Sequence, residues 1–309
     1  MLSTTHRLVP GRRTGITIGN FDGVHRGHQA LVRRSLEVCR EKGLDCVVVT
    51  FWPHPRAFFS GKDMPPLATE AARRTLLGEL GIDYLYELPF NRELANLTPE
   101  AFLDRYLRPL HLAQLVIGYD FRLGKGRSGD FETLKALGER HGFGVEQVPP
   151  VLYGEAPISS TRLRAVIAAG DMATAAAMLG RPHGFSGTVI HGEGRGTGLG
   201  FPTANVAVPP VQLPPDGVYA TRVRLQERAW AAVTNIGFKP TFGGRERTIE
   251  SFLIDGDINL YGEDIRLDFL ARLRDEHRFA SAGELAAQID RDVEQARALA
   301  GEGALPDCR

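Results

Sequence analysis

Apolar and polar positions follow two different rhythms along this chain. Through roughly the first 180 residues, short apolar runs alternate with stretches whose apolar residues recur every three or four positions. The runs predict strands at Gly15–Phe21, Cys46–Phe51, Tyr84–Leu88, Leu115–Gly118 and Val145–Val148. The helical spacing predicts helices at Gln29–Lys42, Glu70–Leu80, Pro99–Tyr106 and Phe131–Arg140. Gly43 and Gly81 stand where helix C-caps belong. DCVVVTF and AQLVIG are almost continuously apolar, as in a parallel sheet covered on both faces. A helix pair, Ser160–Ala169 and Asp171–Leu179, closes this half, and Gly180–Gly184 reads as a boundary.

Beyond the boundary the rhythm shortens. Runs at Phe185–His191, Thr203–Val208, Val218–Leu225, Trp230–Ile236, Ile249–Ile254 and Ile265–Phe269 are separated by Gly and Pro. Regular short strands with turn signals predict an antiparallel barrel or sandwich. A helix, Ala282–Leu299, follows, and its Leu285, Ile289, Val293 and Ala296 form a stripe suited to covering the strands. The expected fold is an α/β N-terminal domain, 1–180, and an antiparallel β-barrel, 183–309, with a long C-terminal helix.

Composition narrows the function classes. At 309 residues, 43% hydrophobic and 24% charged, the chain is expected to be an ordinary soluble protein. Its formal net charge is zero, which disfavours a broad nucleic-acid footprint or a polybasic membrane patch. No apolar run approaches the ~18 residues of a membrane span, and no signal-peptide core follows Met1. The expected setting is the cytoplasm, as a monomer or weak homo-oligomer. Cys39, Cys46 and Cys308 include no C-x-x-C pair, so neither a disulfide framework nor a zinc site is expected. Cys39 and Cys46 read as small core residues.

Candidate chemistry gathers at segment ends. GNFDGVHRGHQAL, Gly19–Leu31, joins a strand to a helix and carries His25 and His28. A helix N-terminus offers unpaired N–H groups, and two imidazoles there can donate to phosphate oxygens. FWPHP, Phe51–Pro55, gives the second strand a stiff aromatic edge that suits a planar ring. ISSTRLR, Ile158–Arg164, opens a helix with hydroxyls and brings Arg162 and Arg164 into its first turns. That suits a phosphate, although plain capping would look similar. GKGRSG, Gly124–Gly129, matches G-x-G-x-x-G with Glu146 about twenty residues on, but it does not directly follow a strand, so it weakly supports NAD binding.

In the second half, GEGRGTGLGFPTANV, Gly192–Val206, is the densest glycine stretch and lacks the G-K-[ST] of a Walker loop. Thr203 and Asn205 lie two apart, so on a strand their oxygens share one face and suit Mg²⁺. Glu250, within TIESFLID, is a candidate general base on an apolar strand. A glycine-rich hairpin and a solvent-facing Glu are the plainer alternatives.

GNFDGVHRGH, FWPHP, VIGYDFRLGKGRSGD and ISSTRLR together resemble the FMN adenylyltransferase module of bacterial bifunctional riboflavin kinase/FAD synthetases, a Rossmann-like nucleotidylyltransferase fold. The glycine/PTAN segment, NIGFKPTFGG and LYGEDIRLDFLARLRDE resemble the riboflavin kinase module of the same enzymes. The resemblance implies that His25 and His28 stabilise ATP phosphates, with Asn20, Asp22, Gly23, Ser160, Thr161 and Arg164 in the same phosphate site. It implies flavin contacts for Phe51, His54, Pro55, Asp120 and Phe121, with Asp120 standing where many relatives carry Asn. In the kinase it implies ATP contacts for Gly194, Gly200, Pro202, Thr203 and Asn205, Mg²⁺ on Thr203 and Asn205, flavin on Arg274, and Glu250 as base. Substrates would be riboflavin, FMN and ATP.

One departure stands out: many relatives read E-[VS]-H where this chain has Glu250-Ser251-Phe252. Three rivals stay open on the sequence. They are an FMN adenylyltransferase whose kinase half is weak or inactive, a flavin-sensing regulator, and an NAD-dependent oxidoreductase resting on GKGRSG.

Overall fold

The structure, a computed structural model, describes residues 11–60, 64–192, 201–241, 244–256 and 258–302. Two compact units divide between Ser160 and Thr161.

The first unit is a five-stranded parallel sheet in the order β3-β2-β1-β4-β5. Its elements are β1 (Thr14–Ile18), α1 (Arg26–Lys42), β2 (Asp45–Trp52), α2 (Pro55–Ser60), α3 (Glu70–Gly78), β3 (Tyr84–Pro89), α4 (Arg92–Ala95), α5 (Pro99–Phe102), β4 (Leu112–Gly118), α6 (Phe131–His141) and β5 (Gly144–Val148). A small hairpin, β6 (Leu152–Tyr153) and β7 (Ala156–Pro157), follows. Ile16, Ile18, Val47 and Val49 fill one face of the sheet, and Cys46, Val48 and Val116 fill the other. This is why these strands read as unbroken apolar runs. Cys39 and Cys46 are both buried free thiols, and Cys46 belongs to that second face. The strand order reverses between β1 and β4, where ligands of open α/β sheets bind beyond the strand C-termini.

The expected helix over Pro99–Tyr106 changes type instead. After α5 the chain runs as a π-helix at Leu103–Leu107 and a 3₁₀ turn at Arg108–Leu110. Pro109 supplies no N–H to a regular ladder, and His111 ends the segment at φ 57°.

The second unit contains α7 (Ser160–Ala168, from its second residue), α8 (Met172–Leu179) and a closed barrel. The barrel strands are β8 (His183–Ile190), β9 (Thr203–Val206), β10 (Gly217–Leu225), β11 (Arg228–Thr241), β12 (Gly244–Leu253) and β13 (Asp264–Arg274). They close antiparallel in the order β10-β11-β12-β9-β8-β13, a barrel rather than a sandwich. Helix α8 packs on β8 and β13. The strand β11 runs past Ile236 because NIGFKPT, punctuated like a loop, pairs residue by residue with β12.

Tyr219, Ile236, Leu267 and Phe269 are fully buried in the barrel unit. A hydroxyl chain, Thr221–Thr234–Ser251, links three strands at 2.7 and 2.8 Å, so these buried polar groups satisfy one another. On another face, Val218, Ala220, Val233 and Ile254 pack with Val293 and Ala296 of α9 (Ala282–Glu302). The apolar stripe of that helix therefore covers the strands.

His183 gives the barrel a pH dependence. Its Nε2 lies 2.9 Å from the Gln212 carbonyl, and burial holds its pKa down to about 4. The folded barrel keeps this imidazole neutral, while the unfolded chain takes up a proton below the ordinary value of 6.5. Stability contributed by neutral His183 is therefore full above 6.5 and is lost as pH falls from 6.5 towards 4. The full loss is about 3 kcal/mol, and about 2 kcal/mol of it has gone by pH 5. Urea unfolding of the barrel at pH 7.5 and pH 5 should show this difference, and His183→Asn should remove it.

Candidate active sites

Four loops meet at the C-terminal edge of the parallel sheet. The first is the turn between β1 and α1. Phe21 and Val24 have φ of 48° and 41°, beside Gly23 at 78°. Left-handed conformations at Phe and a β-branched Val are strained, and such strain collects where a fold holds functional groups in place. Phe21 is fully buried and its ring packs over Gly19, where a Cβ would approach it to 3.1 Å. Asp22 is also buried, and its Oδ1 accepts from the Leu67 N–H at 2.8 Å. That carboxylate thus anchors the turn itself.

His25 caps α1: its Nδ1 accepts from the His28 N–H at 3.3 Å. The hydrogen bond makes Nδ1 the bare nitrogen and puts the proton of neutral His25 on Nε2. The two imidazoles stack with centroids 3.6 Å apart. Gly27 makes this possible, because a Cβ there would lie 3.2 Å from the His25 ring. His28 keeps part of its surface open, but its Nδ1 is buried without a hydrogen-bond partner among the described residues. Burial, then the neighbouring His25 and His54, hold the His28 pKa well below its ordinary value.

The second loop follows β2. Phe51 is buried against Phe90 and Phe102, so it forms the floor of this edge. His54 Nδ1 accepts from the Arg56 N–H at 3.1 Å, and Pro55 starts α2. The third loop follows β4, where exposed Asp120 and half-buried Phe121 form a turn closed by Phe121 N–H donating to the Gly118 carbonyl. The fourth is the start of α7: Ser160 Oγ donates to the Asp22 carbonyl at 3.1 Å. Ser160, the last residue of this unit, is therefore adjacent to the β1 turn. Thr161 and Arg164 follow within the first turns of that helix. Asn20, at the start of the β1 turn, offers its carbonyl to Thr50 Oγ1 at 3.3 Å.

Sequence reasoning missed two parts of this edge. Phe58 and Phe59 on α2 form an edge-to-face cluster with Phe90, and Phe59 is 68% exposed. Arg73 on α3 is buried beneath the β1 and β2 loops. The signal was available in principle: a charged residue occupies the buried face of an amphipathic helix, four positions before Leu77.

In the barrel, the register aligns Asn235, Glu250 and Asn205 across β11, β12 and β9. Residues in register share a face, so the three side chains form one row. Thr203 lies two residues along and opposite Phe252. Gly192 leaves space for Asn205, since a Cβ there would lie 2.0 Å from Nδ2. Glu276 approaches the row, accepting from Asn235 Nδ2 at 3.3 Å and filling the space over Gly237. Neither Asn235 nor Glu276 was singled out from sequence. Phe252 packs edge-to-face on Phe201 and against the cluster under α9, beside exposed Pro202. Gly194 and Gly200 lie outside the described residues.

Arg274, expected at the flavin, donates from its Nε and Nη2 to the buried Asp292 carboxylate at 2.9–3.1 Å. Glu146, the candidate ribose acid of the GKGRSG reading, is held by Arg34 at 2.6 and 3.3 Å. Leu123 and Gly129 pair across the base of that glycine loop, which follows β4 rather than β1. The dinucleotide reading loses both its acid and its place. Among the described residues no group of three or more His, Cys, Asp or Glu could hold a metal. Thr203 and Asn205 instead offer a hydroxyl and an amide oxygen, donors that suit Mg²⁺ sharing its shell with phosphates and water.

An α/β unit whose β1 turn carries two stacked histidines, followed in the chain by a barrel with a carboxylate in register with two amide side chains, is the arrangement expected of a two-site phosphate-transfer protein. Family models agree: FAD synthetase matches residues 10–162 and riboflavin kinase matches 179–300. The bifunctional riboflavin kinase/FMN adenylyltransferase of Escherichia coli (strain K12) is 40% identical over 301 residues, covering 96% of each chain. That of Pseudomonas fluorescens is 40% identical over 302 residues, covering 97% of each. A solved structure from Streptococcus pneumoniae, described as a macrolide-efflux protein, is 32% identical with a TM-score of 0.86, over 93% of this chain and 95% of that one. Here, no helix among the described residues is long and apolar enough to cross a membrane. The chain belongs to the bifunctional riboflavin kinase/FMN adenylyltransferase family.

Proposed function

We propose that the two activities of this bifunctional enzyme, riboflavin kinase and FMN adenylyltransferase, sit at the two sites described. The barrel row would make FMN, and the sheet edge would convert it to FAD. We divide the functions at about residue 180, between α8 and the first barrel strand.

In the kinase step the riboflavin 5′-hydroxyl attacks the γ-phosphorus of ATP, its proton passes to Glu250, and ADP leaves. The observation carrying this assignment is the row Asn235–Glu250–Asn205, which puts a carboxylate in register with one oxygen donor and near a second, Thr203. Thr203 and Asn205 would hold Mg²⁺, which neutralises charge on the phosphates when bound. Phe252 replaces an imidazole beside Thr203 but leaves Glu250 and Asn205 paired, which favours a working kinase over a silent one.

In the adenylyl step an FMN phosphate oxygen attacks the α-phosphorus of ATP and pyrophosphate leaves. His25 and His28 would donate to the phosphate oxygens, where fixed donors stabilise developing charge. The aromatic shelf of Phe58, Phe59 and Phe90 is the natural rest for the flavin ring, with His54, Pro55, Asp120 and Phe121 at its borders. Both steps use ATP, and we place them in the cytoplasm.

Labelled ATP tests the order. With γ-labelled ATP and riboflavin, label should enter FMN and persist in FAD. With α-labelled ATP it should enter FAD only. Label from the α position in FMN, or none in FAD, would contradict the assignment.

A further inference from the structure

We propose that Arg73 is a positioning residue for adenylyl transfer, fixing the spacing between the His25/His28 turn and the His54 loop. The proposal rests on reading this sheet edge as the adenylyl-transfer site.

Arg73 lies on α3 and is 3% exposed. Its Nη1 donates to the Phe51 carbonyl at 3.2 Å and to the Asn20 carbonyl at 3.4 Å. Its Nη2 donates to Glu87 Oε1 at 2.9 Å, and its guanidinium lies 5.5 Å from the centre of the Trp52 ring. One planar group thus ties the ends of β1, β2 and β3. Asn20 opens the strained turn that leads to His25, and Phe51 stands three residues before His54. Arg74 also reaches Glu87, which keeps that carboxylate beside Arg73.

Packing alone does not require an arginine here. An apolar side chain of similar volume fills a buried helix face without desolvating a charge. The guanidinium does something an apolar group cannot: it gives two main-chain carbonyls from different strands a common donor. Residues held at left-handed φ, such as Phe21 and Val24, persist only where their surroundings over-determine them. The Asn20 carbonyl, just before them, is held both by Arg73 and by Thr50 Oγ1. Lysine cannot substitute, because its ammonium lacks the fixed fork.

The test is Arg73→Lys in the full chain. A shifted turn weakens transition-state contacts more than ground-state binding, so kcat for FMN adenylylation should fall at least about tenfold with smaller changes in KM. Riboflavin phosphorylation by the same molecules should be unchanged, which reports an intact barrel. The deciding readout is NMR titration of the His28 imidazole. In the wild type it should titrate well below 6.5, and in Arg73→Lys it should move towards 6.5 as the histidine turn loosens. This readout does not depend on turnover. If the wild type made no FAD yet His28 moved in the variant, the functional reading would fail and the positioning role would stand. A folded variant whose His28 titration matches the wild type overturns the proposal, whatever its kcat. If Arg73→Lys does not fold, Glu87→Gln, which removes the charge steadying Arg73, is read in the same way.

Discussion

Replacing Glu250 with Gln is expected to slow riboflavin phosphorylation by about 10²–10⁴-fold, the usual contribution of a positioned general base. Conversion of FMN to FAD by the same molecules should proceed at the wild-type rate. Gln keeps the size and hydrogen-bonding reach of Glu but cannot accept the hydroxyl proton. The row partners Asn235 and Asn205 remain in register, so the strand has little reason to move. Glu250 is not part of the hydroxyl chain that links the barrel strands, which runs through its neighbour Ser251. Steady-state assays with riboflavin and with FMN as separate substrates check both halves of the expectation.

Replacing His28 with Ala is expected to do the reverse. Adenylyl transfer should fall by about 10²–10³-fold, the cost of losing one fixed donor to a charged transition state. The accompanying destabilisation should be that of the lost ring packing on His25 and Phe21. His28 Nδ1 has no hydrogen bond among the described residues, so truncation leaves no protein group newly unpaired there. Its backbone N–H, which His25 Nδ1 receives, is retained in Ala. Phosphorylation of riboflavin should persist, and FMN should accumulate because the next step is blocked.

Much of this molecule was legible in its amino-acid pattern, for physical reasons that differ by region. The parallel strands are buried on both faces, so Cys46–Phe51 could hardly be read otherwise. Gly43 ends α1 at φ 63°, the left-handed cap that glycine adopts most easily. The histidine pair was readable because its turn needs a strand before it, a helix after it and Gly27 within it. Other parts depend on neighbours distant in sequence. The pairing of Asn235 with Glu250 is a register, and register appears only when β11 and β12 meet. Arg73 looked like an ordinary charged position because the carbonyls it serves lie 53 and 22 residues away. The engagement of Arg274 by Asp292 was hidden for the same reason: the acid belongs to the closing helix.

Two separate sites are proposed to carry the two successive reactions. A mixing experiment decides this. Each variant, Glu250→Gln and His28→Ala, is incubated alone with riboflavin, ATP and Mg²⁺, and then the two are combined, with products separated by chromatography. FMN alone is expected from His28→Ala, little product from Glu250→Gln, and FAD from the mixture, because FMN released by one variant is adenylylated by the other. A folded variant lacking both activities, or a mixture that makes FMN but no FAD, would contradict it.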